Sequence, residues 1–229
     1  HEGAGSVSPV VVSALQKPEA ILFDWDNTLV DSWAIIFDAL NFTLNAFDKE
    51  PWTMSQVRER VRKSLRDSFP TLFGDDWEKA ADVFYARFDD IHLTMISPFD
   101  GAAEMLADLS GRGIYLGVVS NKRGAYLRKE ASHLGWDRHF AKLVGATDAS
   151  NDKPATDPVE LALSGTPHKR GGQVWFVGDA DIDMECAFNA ELAPVLLRRE
   201  APEPQEFNDF QPLCHLENCL ALSKLVENM

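Results

Sequence analysis

Five short apolar runs constrain this chain most: "AILF" (20–23), "IYLGVVS" (114–120), "AKLVGAT" (141–147), "VWFVG" (174–178) and "APVLL" (193–197). Apolar residues occupy successive positions in each, so both faces of each strand need burial. A sheet covered on both faces needs helices between its strands, and helical patterns lie there. Met105, Leu106 and Leu109 share a face ahead of Gly111-Arg112-Gly113, and residues 122–134, 157–164 and 181–190 are further helix candidates. Alternation of buried strands and helices predicts an α/β doubly wound (Rossmann-like) parallel sheet.

One segment breaks the alternation. Trp33, Ile36, Phe37, Leu40, Leu44 and Phe47 recur at helical spacing, as do Trp77, Ala80, Ala81, Phe84, Tyr85 and Phe88, with no strand pattern up to Ile96. Pro51 and the Phe69-Pro70…Gly74 stretch divide this region into three or four helices. The chain therefore reads as a core of residues 19–32 and 97–229 with a helical insertion, 33–96, returning through Ser97-Pro98. Residues 1–18 are set apart as an N-terminal extension. "HEGAGS" has no initiator Met and reads as a cloning remnant or a trimmed end. "VSPVVVSALQ" lacks the basic n-region and cleavage site of a signal peptide. At the other end, Leu216, Leu220 and Leu225 have near-helical spacing, predicting a helix docked on the sheet or on another subunit.

With 229 residues, 45% of them apolar, the chain can build a core domain and a small second one. The net charge of −14 repels polyanions, which argues against nucleic acid and anionic membrane as general partners. No apolar stretch approaches the roughly 18 to 20 residues of a membrane span. Cys186, Cys214 and Cys219 are sparse, odd in number and lack zinc-ligand spacing. They read as reduced thiols of a cytoplasmic protein.

In an open parallel sheet, ligands bind at the carboxyl ends of the strands. The first run ends in Asp24-Trp25-Asp26-Asn27-Thr28, and the second in Ser120-Asn121, followed by Lys122. "VWFVG" ends in Asp179, with Asp183 four residues on, and "NDKPATDP" carries Lys153 ahead of a helix start. Carboxylates clustered at an apolar strand end repel one another and resist desolvation. A hard divalent cation relieves both, and Mg²⁺ takes one or two protein carboxylates together with a substrate phosphate. Lys153 and the Ser120 hydroxyl suit the remaining phosphate oxygens, and helix N-termini after Ser120 and near Pro154 offer N–H donors.

The order D-x-D-x-T, S-N, K-P, G-D-x-x-x-D over residues 20–200 resembles the haloacid dehalogenase-like superfamily, and most of all its phosphoglycolate phosphatase-like branch with a helical cap. The resemblance implies Mg²⁺-dependent hydrolysis of a small-molecule phosphate ester. Asp24 would be the nucleophile and a metal ligand. Asp26 would be the general acid and then the base, its backbone carbonyl also on the metal. Ser120, Asn121 and Thr28 would hold phosphate, and Lys153 would neutralise phosphate and nucleophile. Asp179 would ligate Mg²⁺, and Asp183 would hold a metal-bound water or ligate directly. Two positions depart from the family pattern: Asn27 stands where most relatives have Gly, and Ala190-Glu191 replaces Ala-Gly.

Asp26 argues against a dehalogenase, which needs no Asp there. Lys49, Lys63 and Lys79 lack a motif for the Schiff-base lysine of a phosphonate hydrolase. A phosphosugar mutase and a low-turnover phosphate-binding module stay as alternatives. In the insertion, "SQVRERVRKSLRDSFP" puts Arg58, Arg62 and Arg66 at i, i+4, i+8 beside Val57, Val61 and Leu65. That stripe is either a solvated face or a set of cations closing over an anionic substrate group. His92 and Tyr85 read as core or rim. Nothing in the sequence specifies an oligomeric state.

Overall fold

The computed structural model describes residues 14–229, so the readings placed on residues 1–13 lie outside the described residues. Among the described residues eight strands form: β1 Ala20–Phe23, β2 Val30–Asp31, β3 Ser97–Pro98, β4 Tyr115–Arg123, β5 Lys142–Ala146, β6 Gly171–Gly178, β7 Leu192–Leu197 and β8 Cys214–Leu216. Six make one parallel sheet in the order β5-β4-β1-β6-β7-β8. The five apolar runs are five of these strands. β8 escapes a periodicity reading because it is three residues long and carries His215 in its middle.

β1 lies at the centre, with Phe23 opposite Val118 of β4 on one side and Val177 of β6 on the other. Its side chains alternate between two cores. Ile21 and Phe23 pack with Met105, Leu109, Leu127 and Leu222 from the helices Ala102–Gly111, Gly124–His133 and Cys219–Glu227. Ala20 and Leu22 pack with Val159 and Ala187 from Asp157–Leu163 and Asp181–Asn189 on the opposite face. All four are fully buried, and each large one contributes about 1.5–3 kcal/mol. This double burial is why the strand is apolar at every position. Leu15 joins the first core, and Trp175 Nε1 donates to the Gln16 carbonyl at 2.9 Å. The end of the segment set apart as an extension therefore packs with the sheet.

β2 pairs antiparallel with β3, so the insertion leaves and returns through a two-stranded hinge. Between them lie the helices Trp33–Ala46, Met54–Arg60, Leu65–Phe73 and Trp77–Met95, with a 3-10 turn at Gly74–Asp76. They enclose a core of their own around Leu44, Val57, Phe69 and Phe73. Pro70 does not break a helix. It sits inside Leu65–Phe73, and the stop comes at Gly74, whose φ of 57° ends the helix.

The arginine stripe is also interrupted. The first of its helices ends at Arg60, Val61 is extended, and the next helix starts after Ser64. Arg58, Arg62 and Arg66 therefore share no continuous helix face. Arg62 and Arg66 instead pair with Asp181 and Asp152 of the core. In the last helix, Cys219, Leu222 and Val226 form the buried face, while Leu220 is exposed and Leu216 belongs to β8. All three cysteines are free and buried. Among the described residues no helix is long and apolar enough to cross a membrane.

Both departures from the family pattern fall on left-handed backbone: Asn27 at φ 64° and Glu191 at φ 58°. Asn tolerates that region, whereas Glu does so at a cost. Glu191→Gly is expected to raise stability by about 0.5–1 kcal/mol, the relieved strain exceeding the added unfolded-state entropy. Urea unfolding checks this, and a loss of stability would refute it.

Candidate active site

The sheet order reverses at β1, and its carboxyl end opens between β4 and β6. The Asp24 N–H still donates to the Val177 carbonyl at 2.9 Å, so β6 holds its backbone while the carboxylate extends past the sheet. The chain then turns tightly. The N–H groups of Thr28 and Leu29 donate to the Trp25 carbonyl at 3.2 and 3.0 Å, and Asn27 Oδ1 accepts from the Ser32 N–H at 3.0 Å. The Trp25 ring is buried in the core against Trp136 and Phe140. Asp24 and Asp26, on either side of it, both line one cavity.

Lys153 joins the strand ends. Its buried Nζ lies 2.9 Å from Asp24 Oδ1 and 2.7 Å from Asp183 Oδ1. Asn121 fixes the lysine's loop: Oδ1 accepts from the Lys153 N–H at 2.9 Å, and Nδ2 donates to the Lys153 carbonyl at 3.1 Å. Its amide is thus engaged with protein. Ser120 is buried beside it, and its Oγ accepts from the Lys122 N–H at 3.0 Å. The Thr28 hydroxyl bridges two carboxylates, 3.0 Å from Asp179 Oδ1 and 3.3 Å from Asp24 Oδ2. Asp183 Oδ2 accepts from the Asp179 and Ala180 N–H groups at 3.1 and 3.2 Å.

Oxygens of Asp24, Asp179 and Asp183 lie within 4.8 Å of one another, with one lysine among them. Burial, reinforced by the charges of Asp24 and Asp183, pushes Asp179 well above the usual carboxylate range. Burial and Asp24 raise Asp183 to about 6 despite Lys153. Burial alone would lower Lys153, but Asp183 and Asp24 outweigh it and raise its pKa. This surplus of negative charge on hard oxygen donors is the donor set that a cation such as Mg²⁺ takes. Asp24 and Asp179 have lone pairs to offer it. Asp183 already accepts from Lys153 and two N–H groups, which suits an outer position.

A second buried network was not legible in the sequence. Lys122 Nζ donates to Asp26 Oδ1 and Glu130 Oε1, both at 2.6 Å. Trp25 Nε1 donates to Glu130 Oε1 at 3.0 Å, and His92 Nδ1 lies 2.8 Å from Glu130 Oε2. Ser32 Oγ donates to Asp26 at 2.5 Å. Burial raises Asp26 against the pull of Lys122. Glu130 goes down, because Lys122, His92 and Trp25 overcome its burial. His92, read as core or rim, is buried, and it carries the insertion's longest helix onto Glu130. The position of Lys122 straight after Ser120-Asn121 was the only available signal.

The three arginines go elsewhere. Arg66 grips Asp152 with Nε at 2.6 Å and Nη2 at 2.7 Å, next to Lys153. Arg62 lies 3.3 Å from Asp181, and the Arg58 guanidinium sits 5.7 Å from the Trp33 ring centroid. Only Arg62 of the three lines the cavity. Tyr85 lines it too, stacked on Tyr126 at 5.2 Å.

The site thus sets an aspartate at the switch point of a doubly wound sheet, paired to a buried lysine and backed by a second acidic strand end. The chain belongs to the haloacid dehalogenase-like hydrolase family, whose model matches residues 21–196. It is 27% identical over 214 residues to pyrophosphatase PpaX of Listeria innocua, covering 93% of this chain and 98% of that one. It is 29% identical over 185 residues to phosphoglycolate phosphatase of Xanthomonas campestris, covering 79% and 83%. Two solved structures share the fold. One is a predicted phosphatase from Clostridium acetobutylicum (TM-score 0.80, 22% identity, 93% and 100% covered). The other is a haloacid dehalogenase-like family hydrolase from Streptococcus pneumoniae (TM-score 0.77, 21% identity, 90% and 97% covered).

Lys122→Met leaves Asp26 and Glu130 without their shared cation and is expected to cost about 3–5 kcal/mol. Adding Glu130→Gln should recover at least about 1 kcal/mol of that. Strictly additive losses in urea unfolding would contradict the network. For Asp152, burial would raise the pKa, but the Arg66 hydrogen bonds and the Thr147 N–H hold it below the usual value. A depressed carboxylate stabilises the fold above its unfolded pKa and stops doing so as acid protonates it. Arg66→Ala should therefore cost about 1 kcal/mol near neutrality after solvent screening. The difference from wild type should shrink below about pH 4. A difference that grows on acidification would reverse the assignment.

Proposed function

We propose that this chain is a Mg²⁺-dependent phosphatase, with Asp24 as the nucleophile and residues 33–96 as a cap domain over a core of 19–32 and 97–229. The observation that carries the reading is the convergence of Lys153 and three carboxylates on the end of β1. The phosphatase names of the relatives support it.

An Asp24 oxygen attacks phosphorus in line with the ester oxygen. The bond from phosphorus to that oxygen breaks, an aspartyl phosphate forms, and Asp26 gives its proton to the departing alcohol. Asp26 then takes a proton from water, whose oxygen attacks phosphorus and frees Asp24 with inorganic phosphate. The raised pKa of Asp26 suits the acid's task, and Lys122 and Ser32 hold its carboxylate in place. Lys153 neutralises charge on Asp24 and on the transferring group, and Ser120 offers its hydroxyl to a phosphate oxygen. Asn121 serves by holding the Lys153 loop, and Thr28 by orienting Asp24 and Asp179. Asp24, Asp179 and the Asp26 carbonyl would hold Mg²⁺, with Asp183 behind them. When bound, the ion supplies charge for the phosphate oxygens.

p-Nitrophenyl phosphate hydrolysis tests the reading. Turnover is expected with Mg²⁺ and is expected to vanish with EDTA. Asp24→Asn should lower it at least roughly a thousandfold. EDTA-resistant turnover would remove the metal from the proposal, and an active Asp24→Asn would remove the nucleophile. Turnover that requires a sugar bisphosphate would point to a mutase, and a lasting phosphoprotein without product to a binding module.

A further inference from the structure

A cavity of about 610 Å³ runs from Asp24 and Asp26 into the interior of the helical insertion. That size lies within the roughly 300–1,000 Å³ of sites that enclose a drug-sized ligand. Above the carboxylates most of its wall is apolar, with Asp67, Ser68 and Thr71 also in the lining. Ile36 and Leu40 come from Trp33–Ala46, Leu65 and Leu72 from Leu65–Phe73, and Phe84 and Phe88 from Trp77–Met95. Ile36, Leu65, Leu72 and Phe84 remain half-buried. Core side chains would be closed off by their neighbours, whereas these four face open space that adjoins the reacting groups.

Three of the lining cations have carboxylate partners, among them Lys153 with Asp24 and Asp183. Arg62 pairs with Asp181, and Lys122 with Asp26 and Glu130. Arg60 lies 4.8 Å from the Trp52 ring centroid, and Arg123 lies 4.9 Å from that of Tyr85. Among the described residues, the lining cations without a carboxylate partner, Arg60, Lys63 and Arg123, are all exposed to solvent. A carboxylate or second phosphate on the leaving group would lose its hydration in this chamber without gaining a buried cation. A two-carbon alcohol would leave most of the apolar wall unfilled.

We propose that the phosphate ester taken by this site carries a bulky, uncharged, apolar leaving group, an aryl-substituted or branched alkyl alcohol, which the chamber inside the helical insertion receives. This rests on the phosphatase reading. The phosphate end stays at Lys153 and Ser120, and the apolar end gives the selectivity, since burying hydrocarbon lowers the free energy of the bound ester and of its transition state alike.

Three esters of primary alcohols separate size and charge from leaving-group reactivity: 2-phenylethyl phosphate, ethyl phosphate and phosphoglycolate, each with Mg²⁺. The kcat/KM for 2-phenylethyl phosphate is expected to exceed that for each of the others at least roughly tenfold. Leu72→Arg, which puts a cation in the apolar wall, should lower the ratio of 2-phenylethyl phosphate to phosphoglycolate at least roughly tenfold. Ile36→Arg tests the opposite wall in the same way. A wild-type ratio near or below one overturns the proposal whatever the variants do. So does a ratio that both variants leave unchanged.

Calorimetric titration of Asp24→Asn with the three esters and Mg²⁺ reads binding without turnover. If wild type hydrolyses neither these esters nor p-nitrophenyl phosphate, the phosphatase reading fails. Tighter binding of 2-phenylethyl phosphate then still supports the apolar chamber, and equal or absent binding overturns it.

Discussion

One buried ammonium organises the site. Lys153 stands between Asp24, at the end of β1, and Asp183, in the helix after β6. It places a positive charge between two buried carboxylates that would otherwise face each other uncompensated. The lysine reaches this point because Asn121, from the end of β4, clamps its backbone on both the N–H and the carbonyl. Three strand ends are thus tied by one cation and one amide. The compensation is incomplete, since Asp179 adds a third carboxylate. The remainder is the negative charge that the proposed divalent ion would offset, and through that ion a phosphate could enter a chain of net charge −14.

A second cation repeats the logic on the other side of Asp24. Lys122 holds Asp26 and Glu130, and Glu130 also receives Trp25 and lies against His92 of the helical insertion. The proposed acid/base group is therefore mechanically connected to the segment that covers it. Arg66 on Asp152 makes a parallel connection from the insertion to the loop of Lys153. Both attachments run through buried carboxylates, Glu130 and Asp152, while the insertion holds itself together with apolar side chains. Its interior can therefore stay open and apolar while its base is pinned through those carboxylates to the reacting groups.

Much of the fold could be read from the residues. Strands apolar on both faces have to lie inside a doubly wound sheet, and five runs marked five of its six parallel strands. The break in alternation from Trp33 onward marked the inserted helices. Asn27 at a left-handed position fits a residue that tolerates it, and the same backbone under Glu191 shows where the chain departs from the usual glycine. β8 was too short to carry a period, and Pro70 proved harmless to its helix.

Sequence by itself determined the chemistry available at the sheet's carboxyl edge: which carboxylates, which lysine and which hydroxyl stand at the strand ends. Those assignments follow from local order, because a strand end is a property of a few consecutive residues. Tertiary structure alone decided their partners. It turned Asn121 toward the Lys153 backbone and Thr28 toward two carboxylates, and it brought Lys122, Glu130 and His92 together. It broke the arginine stripe and sent Arg66 to Asp152. Each of these depends on contacts between residues far apart in the chain, where a local period carries no information and burial sets the energy of every unpaired charge.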